Sequence, residues 1–439
     1  MVESQTWLRI ITCFSWGGAK MKSEQQVSNV ETNQREYCCT ACGGFSAITI
    51  LRGVDGPVHQ NLLYSSYDQA IACKTGRLHL VACRQCGFVF NEKFDSNLLD
   101  YCQDYENSQD KSGHFSEHMR SVAGLLVDRN SLRGKRFLEI GCGKGSFLKL
   151  IVDIAGGKGK GFDPSYVNEY DDVSGLSFVR DFFPGNEEWW NPDQIICRHV
   201  LEHIAQPYEF VSMIRQAIPN RQNLHLYFEV PSFEWICDNL AFWDVFYEHC
   251  NYFTAGSIAS LMQRCGFAVE RIESVFSGQY LSVHLSVSDL PVADLPVADL
   301  PQAGSIATIN ASNSGLEHTT LPTLYDDFSR DFTDKLEAMR KQVLALKAAN
   351  KSMAVWGAAA KGSTFLNQLS LVPEIVSTVV DINPRKQGKY VAGTGQLICA
   401  PEHLQSNPCD VVFIMNPNYY NEIRQQLQEM NLRPEFVVI

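Results

Sequence analysis

Arg136-Phe137-Leu138-Glu139-Ile140-Gly141-Cys142-Gly143-Lys144-Gly145 is the stretch on which the fold turns. Its first five residues read as a short buried strand, and Ser146 to Val152 carries helix spacing. The glycines between them make a sharp strand-to-helix turn and let backbone come close to a bound ligand. Such a turn alone marks a Rossmann-type cofactor site, and its neighbours must say which cofactor.

The spacing is G-x-G-x-G with Glu139 two residues ahead of Gly141, not the G-x-G-x-x-G of a pyrophosphate binder. S-adenosylmethionine has no phosphate, so the helix N-terminus need not serve as an anion site. A carboxylate near its amino or sulfonium charge is useful instead. Downstream, Gly159-Lys160-Gly161-Phe162-Asp163 reads as a second strand ending in an acid that can accept the ribose hydroxyls. Arg180-Asp181-Phe182 falls where a third strand would end, with Asp181 toward the adenine amino group and Phe182 stacked on the ring. Gln194 to His203 reads as a fourth strand running into a loop and helix. His199 and His203 are taken there as cofactor-side residues, with catalysis as their alternative. Glu139, Gly141, Gly143, Gly145, Asp163, Asp181, Phe182 and His199 therefore describe a class I methyltransferase, an α/β Rossmann-like domain. A nicotinamide-binding unit is its rival.

Outward from that domain the 439 residues change texture, and such a length calls for two or three domains. A formal charge of −12 excludes a general nucleic-acid binder, which needs a basic stripe. Residues 1–35 read as a disordered extension, 36–113 as a metal domain and 114–287 as the methyltransferase domain. The pentad Asp289-Leu290-Pro291-Val292-Ala293, repeated from Asp294 and again begun at Asp299, makes 288–320 a linker or loop, because proline in every copy forbids a helix or central strand. Residues 321–439 read as a long amphipathic helix followed by a second α/β domain. Cys39-Thr40-Ala41-Cys42-Gly43 and Cys83-Arg84-Gln85-Cys86-Gly87 are two C-x-x-C-G knuckles, the spacing of a tetrahedral four-thiolate zinc site with a structural role. A redox dithiol needs only one such pair, at a helix start. The apolar run from Trp7 to Trp16 is interrupted by Arg9 and is too short to span a bilayer, so the expectation is a cytoplasmic protein.

The knuckles, the Glu139–Gly145 loop, Arg198 to Ile204, Tyr247-Glu248-His249-Cys250-Asn251-Tyr252-Phe253 and the distal half together resemble the three-domain sugar C-methyltransferases of the tetronitrose and mycarose type. That resemblance implies methylation of C3 in a nucleotide-linked 4-keto deoxysugar. It implies His249 as the base, with Glu248 and Tyr247 beside it. It also implies a distal, degenerate Rossmann-like domain, opened by Val355-Trp356-Gly357-Ala358-Ala359-Ala360-Lys361-Gly362, that encloses the substrate and binds no second cofactor. Gln279, Tyr280, Lys361 and Asn416 match family stretches near the substrate, and Tyr105 belongs to a tyrosine-rich segment expected to cover the cofactor. The family often has Tyr two residues before the Glu, where this chain has Phe246. The chemistry is coherent: carbon becomes a nucleophile only after loss of a proton α to a carbonyl, and histidine has a suitable pKa. The expected partner is a small molecule bound by a monomer or homodimer. O- or N-methylation of another metabolite, or nucleotide-sugar binding without catalysis, are the alternatives.

Overall fold

The computed structural model describes residues 37–99, 106, 111–167, 169–170, 173–185, 191–218, 223–287 and 321–439. The extension at 1–35, the pentad repeat within 288–320 and Tyr105 lie outside the described residues.

Three sheets form along the chain. Antiparallel strands β1 (Ala47–Pro57), β2 (Thr75–Cys83) and β3 (Val89–Asn91) make the first. The second is built from β4 (Arg136–Ile140), β5 (Lys158–Phe162), β6 (Leu176–Val179), β7 (Gln194–Arg198) and β8 (His225–Pro231), which run parallel. Between β8 and the rest of that sheet the chain makes β9 (Asn251–Tyr252), which crosses back to pair with β3 and completes the first sheet. Strands β10 (Phe267–Val275) and β11 (Tyr280–Val287) form a hairpin added antiparallel to β8, giving the order β10-β11-β8-β7-β4-β5-β6.

The strand order reverses beside β4. In an open α/β sheet the crevice at the carboxyl ends of the strands, at such a switch point, is where ligands bind. The loop quoted above lies there and leads into α2 (Ser146–Ala155), while α1 (Gly113–Arg129) packs on the same face through Phe115, Met119 and Leu126.

The third sheet is all parallel, with β12 (Met353–Trp356), β13 (Thr378–Val380), β14 (Ile398–Cys399), β15 (Val411–Ile414) and β16 (Glu435–Val438) in the order β14-β13-β12-β15-β16. It too has its switch point at its first strand, β12. Ahead of it runs the long helix spanning Leu321–Ala348. Tyr325, Phe328, Phe332, Met339 and Val343 recur at helical spacing and are buried in one core with residues of β1, β2 and the third sheet. Each such side chain contributes about 1.5–3 kcal/mol by leaving water. The helix therefore ties the cysteine-bearing sheet to the distal domain. Its Tyr325 hydroxyl donates to the carbonyl of Gly87, in the second knuckle, at 2.7 Å.

Candidate active site

A cavity of about 1570 Å³ takes lining residues from loops of the cysteine-bearing region, among them Asn61 and Phe94, from the carboxyl ends of the methyltransferase sheet, and from β12 and the loops of the distal domain. At its cofactor end Gly141 has φ +72° and Gly145 φ +90°, conformations that L side chains rarely adopt. A Cβ at Gly141 would overlap the Val200 side chain. The Gly143 amide donates to Asp163 Oδ2 at 2.8 Å, and the Ser165 amide and hydroxyl both donate to Oδ1 at 2.7 Å. Asp163 thus fixes the loop as well as facing the cavity, and Lys144 adds a bond from Nζ to the Ser165 carbonyl at 2.9 Å.

Glu139, at the end of β4, is 2% exposed, and its Oε2 has no hydrogen-bond partner among the described residues. Burial pushes its carboxyl up to about 8; Arg198 opposes this and Asp163 adds to it. A buried carboxyl with one oxygen left without a hydrogen-bond partner, opening on a cavity, is suited to a cationic ligand. The methionyl ammonium of S-adenosylmethionine meets that requirement. Asp181 and Phe182 line the same cavity, with Phe182 45% exposed and so available to cover a flat ring.

At the other end four polar residues gather. His199, with φ 54°, presents Nε2 to Glu229 Oε1 at 3.0 Å and Nδ1 to Glu202 Oε1 at 3.6 Å. Glu202, His203 and His249 carry ligand atoms all within 4.8 Å of one another. The His249 ring stands edge-on to His203 at 4.9 Å and lies 3.9 Å from the Phe246 ring. Burial, followed by the charges of His203, Lys361 and His199, holds the pKa of His249 well below that of an ordinary histidine. Its imidazole is therefore neutral near pH 7 and able to accept a proton.

Several expected contacts fall elsewhere. Glu248, fully buried, does not line the cavity or meet His249; it accepts from His59 Nδ1 at 3.1 Å and from the Gln60 amide at 2.9 Å. Tyr247 and Glu248 form a turn, closed by the His249 amide donating to the Phe246 carbonyl at 3.2 Å, which carries both side chains away from the cavity that Phe246 and His249 line. Tyr247 shares the outward side, its hydroxyl accepting from the Asp95 amide at 2.8 Å, while Phe246 lines the cavity and offers no hydroxyl. Gln279 and Asn416 do line it, yet their amides pair reciprocally at 2.8 and 3.0 Å, joining the methyltransferase and distal domains. Tyr280 packs edge-on against His199 at 4.6 Å. Lys361 forms an ion pair with Asp244 and lies 5.5 Å from the Trp235 ring centre.

One group central to this end was not singled out in the sequence. Glu229, fully buried on β8, receives Arg198 at 2.8 Å, His199 at 3.0 Å, His118 at 3.4 Å and the Tyr227 hydroxyl at 2.6 Å. A charged residue inside the apolar run Leu226-Tyr227-Phe228-Glu229-Val230 was the available signal. At the other side of the molecule the thiols of Cys39 and Cys86 lie 3.7 Å apart and those of Cys42 and Cys83 3.6 Å apart, all four buried. Gly43 and Gly87, at φ +75° and +69°, turn the two knuckles inward.

The topology and cavity define a class I S-adenosylmethionine-dependent methyltransferase. Residues 115–272 match the model of a methyltransferase domain, and residues 300–439 match that of the C-methyltransferase C-terminal domain. The C-methyltransferase NovU of Streptomyces niveus is 25% identical over 414 residues, covering 88% of this chain and 90% of the relative. The chain is thus similar to a C-methyltransferase over most of its length. Among solved structures it is similar to a Burkholderia thailandensis 1,6-didemethyltoxoflavin-N1-methyltransferase with bound S-adenosylhomocysteine, 16% identical, over 39% of this chain and 79% of that one, with a TM-score of 0.32. It is likewise similar to the magnesium protoporphyrin IX methyltransferase of Synechocystis, 18% identical, over 40% and 84% of the two chains, with a TM-score of 0.31. No helix among the described residues is long and apolar enough to cross a membrane.

Proposed function

We propose that the protein methylates carbon, at the position α to the ketone of a nucleotide-linked deoxysugar, through an enolate. The observation that carries this reading is His249: a neutral imidazole facing the cavity, with no hydrogen bond from its ring to any described residue, beside a cofactor loop that supplies a methyl donor. Methyl transfer to oxygen or nitrogen needs no such base for carbon acidity. S-adenosylmethionine, when bound along Glu139, the glycine loop and Asp163, supplies the electrophilic methyl group.

The four cysteines are proposed to hold one structural zinc. Zinc–sulfur bonds of about 2.3 Å in a tetrahedron place neighbouring sulfurs about 3.8 Å apart, and the thiols already lie at 3.6 and 3.7 Å. All four positions are protein ligands, so the metal holds the fold and takes no part in the reaction. The distal domain closes the cavity over the sugar nucleotide, with Lys361 and its Asp244 partner at the wall.

The test is loss of deuterium from C3 of thymidine-diphosphate 4-keto-6-deoxyglucose, followed by NMR in the presence of S-adenosylhomocysteine. Exchange catalysed by the protein supports the enolate. A transferred methyl found on oxygen or nitrogen, with no exchange at C3, sinks it.

A further inference from the structure

We propose that His199 is a second catalytic residue of this reaction, its imidazole donating a hydrogen bond from Nδ1 to the oxygen of the enolate. The inference rests on the C-methylation reading above.

An enolate needs a donor fixed in advance where its negative charge develops. Phe246 supplies none, and the nearby Tyr247 hydroxyl is turned away to Asp95. His199 follows directly from β7, and its left-handed backbone throws the ring toward the cavity, where its side chain is 25% exposed. Glu229 behind it is fully buried and anchors Nε2 at 3.0 Å. Nδ1 is different: its nearest carboxylate, Glu202, stands at 3.6 Å, beyond a normal hydrogen bond, so this nitrogen has room for an incoming oxygen. The Tyr280 ring, 4.6 Å away, walls the imidazole on another side.

The charges around it favour a donor. Glu229 and Tyr227 face it from β8, Arg198 from β7 and His118 from α1 through their shared bonds to Glu229. Glu202 faces it from the following turn, while His203 and His249 stand further into the cavity. Burial works to lower the pKa of His199, but Glu202 and Glu229 outweigh it, and the net shift is upward. The same cavity thus holds one histidine whose pKa is pushed down and one whose pKa is pushed up, the division of labour that proton abstraction beside a carbonyl requires.

In the step, the α-proton passes to His249. The C–H electron pair becomes the C=C bond and the carbonyl π pair moves onto oxygen, which His199 receives. The carbon then bonds to the methyl group as the sulfur–methyl bond breaks, its pair remaining on sulfur to give neutral S-adenosylhomocysteine. His249 finally releases its proton to water.

The test compares His199→Asn with the parent enzyme, since asparagine tolerates the left-handed backbone at this position. C3 deuterium loss from thymidine-diphosphate 4-keto-6-deoxyglucose and S-adenosylmethionine affinity are measured on both. We expect exchange to fall about 100-fold or more, the loss typical of one oxyanion donor, with affinity changed by no more than about twofold. In the parent the rate declines as pH rises through the raised pKa of His199, and Glu202→Gln moves that decline to lower pH. Exchange within about threefold of the parent, or a loss confined to cofactor affinity, overturns the assignment. If His199→Asn does not fold, a decline that Glu202→Gln leaves unmoved overturns it instead. A parent enzyme that exchanges no deuterium overturns the C-methylation reading itself.

Discussion

Glu139 shows how one residue carries chemistry that a motif only hints at. Its place two residues before Gly141 was readable, but its state was not, because that depends on how completely three strands bury it. With its pKa pushed up to about 8, the free protein at pH 7 holds Glu139 mostly protonated. A cationic ligand favours the carboxylate, so binding must expel the proton; above about pH 8 there is none left to expel. Calorimetry in buffers of different ionisation enthalpy should therefore show proton release on S-adenosylmethionine binding at pH 7. Glu139→Gln should abolish that release and weaken binding. At the opposite end, His249→Ala should keep cofactor affinity while turnover falls about 10²–10⁴-fold, the contribution of a positioned base. Near-normal turnover would make His249 structural. Its neighbours could not be sorted from sequence, since only the turn at Tyr247 and Glu248 sets Phe246 and His249 inward while those two face out.

Elements with strong periodicity were legible, and those made by distant pairing were not. The strand, turn and helix at 136–155 followed from glycine spacing and apolar pattern, and so did the long helix, whose buried positions repeat at helical intervals. Strand β9 is two residues long and exists because β3, about 160 residues earlier in sequence, offers it an edge. No local pattern encodes that. The pairing matters because β9 directly follows His249 and Cys250 and so anchors the His249 segment to the cysteine-bearing sheet. Within the glycine loop, Gly141→Ala should cost about 1–2 kcal/mol in backbone strain alone, and its Cβ would also displace Val200. We expect S-adenosylmethionine affinity to fall by at least about tenfold in a protein whose circular dichroism is unchanged. Gly143→Ala, which meets open space at φ +54°, should lose less, and equal losses would show that Val200 is not what makes position 141 demanding.

On the scale of the whole molecule, the proposed zinc site and the base are mechanically linked although the metal touches no reacting atom. The first knuckle precedes β1 and the second ends β2 and leads into β3; β3 pairs with β9; and Tyr325 of the long helix bonds the knuckle glycine Gly87. Glu248 adds a second tie, reaching from the His249 segment to His59 and Gln60. One face of the methyltransferase sheet shares its core with the knuckles, Leu138, Ile195 and Phe228 packing with Cys39, Cys86 and Phe90, but the other face has a core of its own with α1 and α2, around Phe137, Phe147, Ile151 and Ile196, and this one holds the cofactor loop. Structural zinc contributes on the order of 10–16 kcal/mol in small zinc domains, so its removal should release the first sheet and with it the placement of His249. Metal analysis should find one zinc per chain. Titrating it out with a chelator should then abolish turnover while S-adenosylmethionine affinity stays within about tenfold of the loaded enzyme. Cys86→Ala should reproduce that split without chelator. A Cys86→Ala protein that stays metal-loaded and active would rule out the four-thiolate site. Equal loss of cofactor binding and turnover would show instead that the sheets fold as one unit.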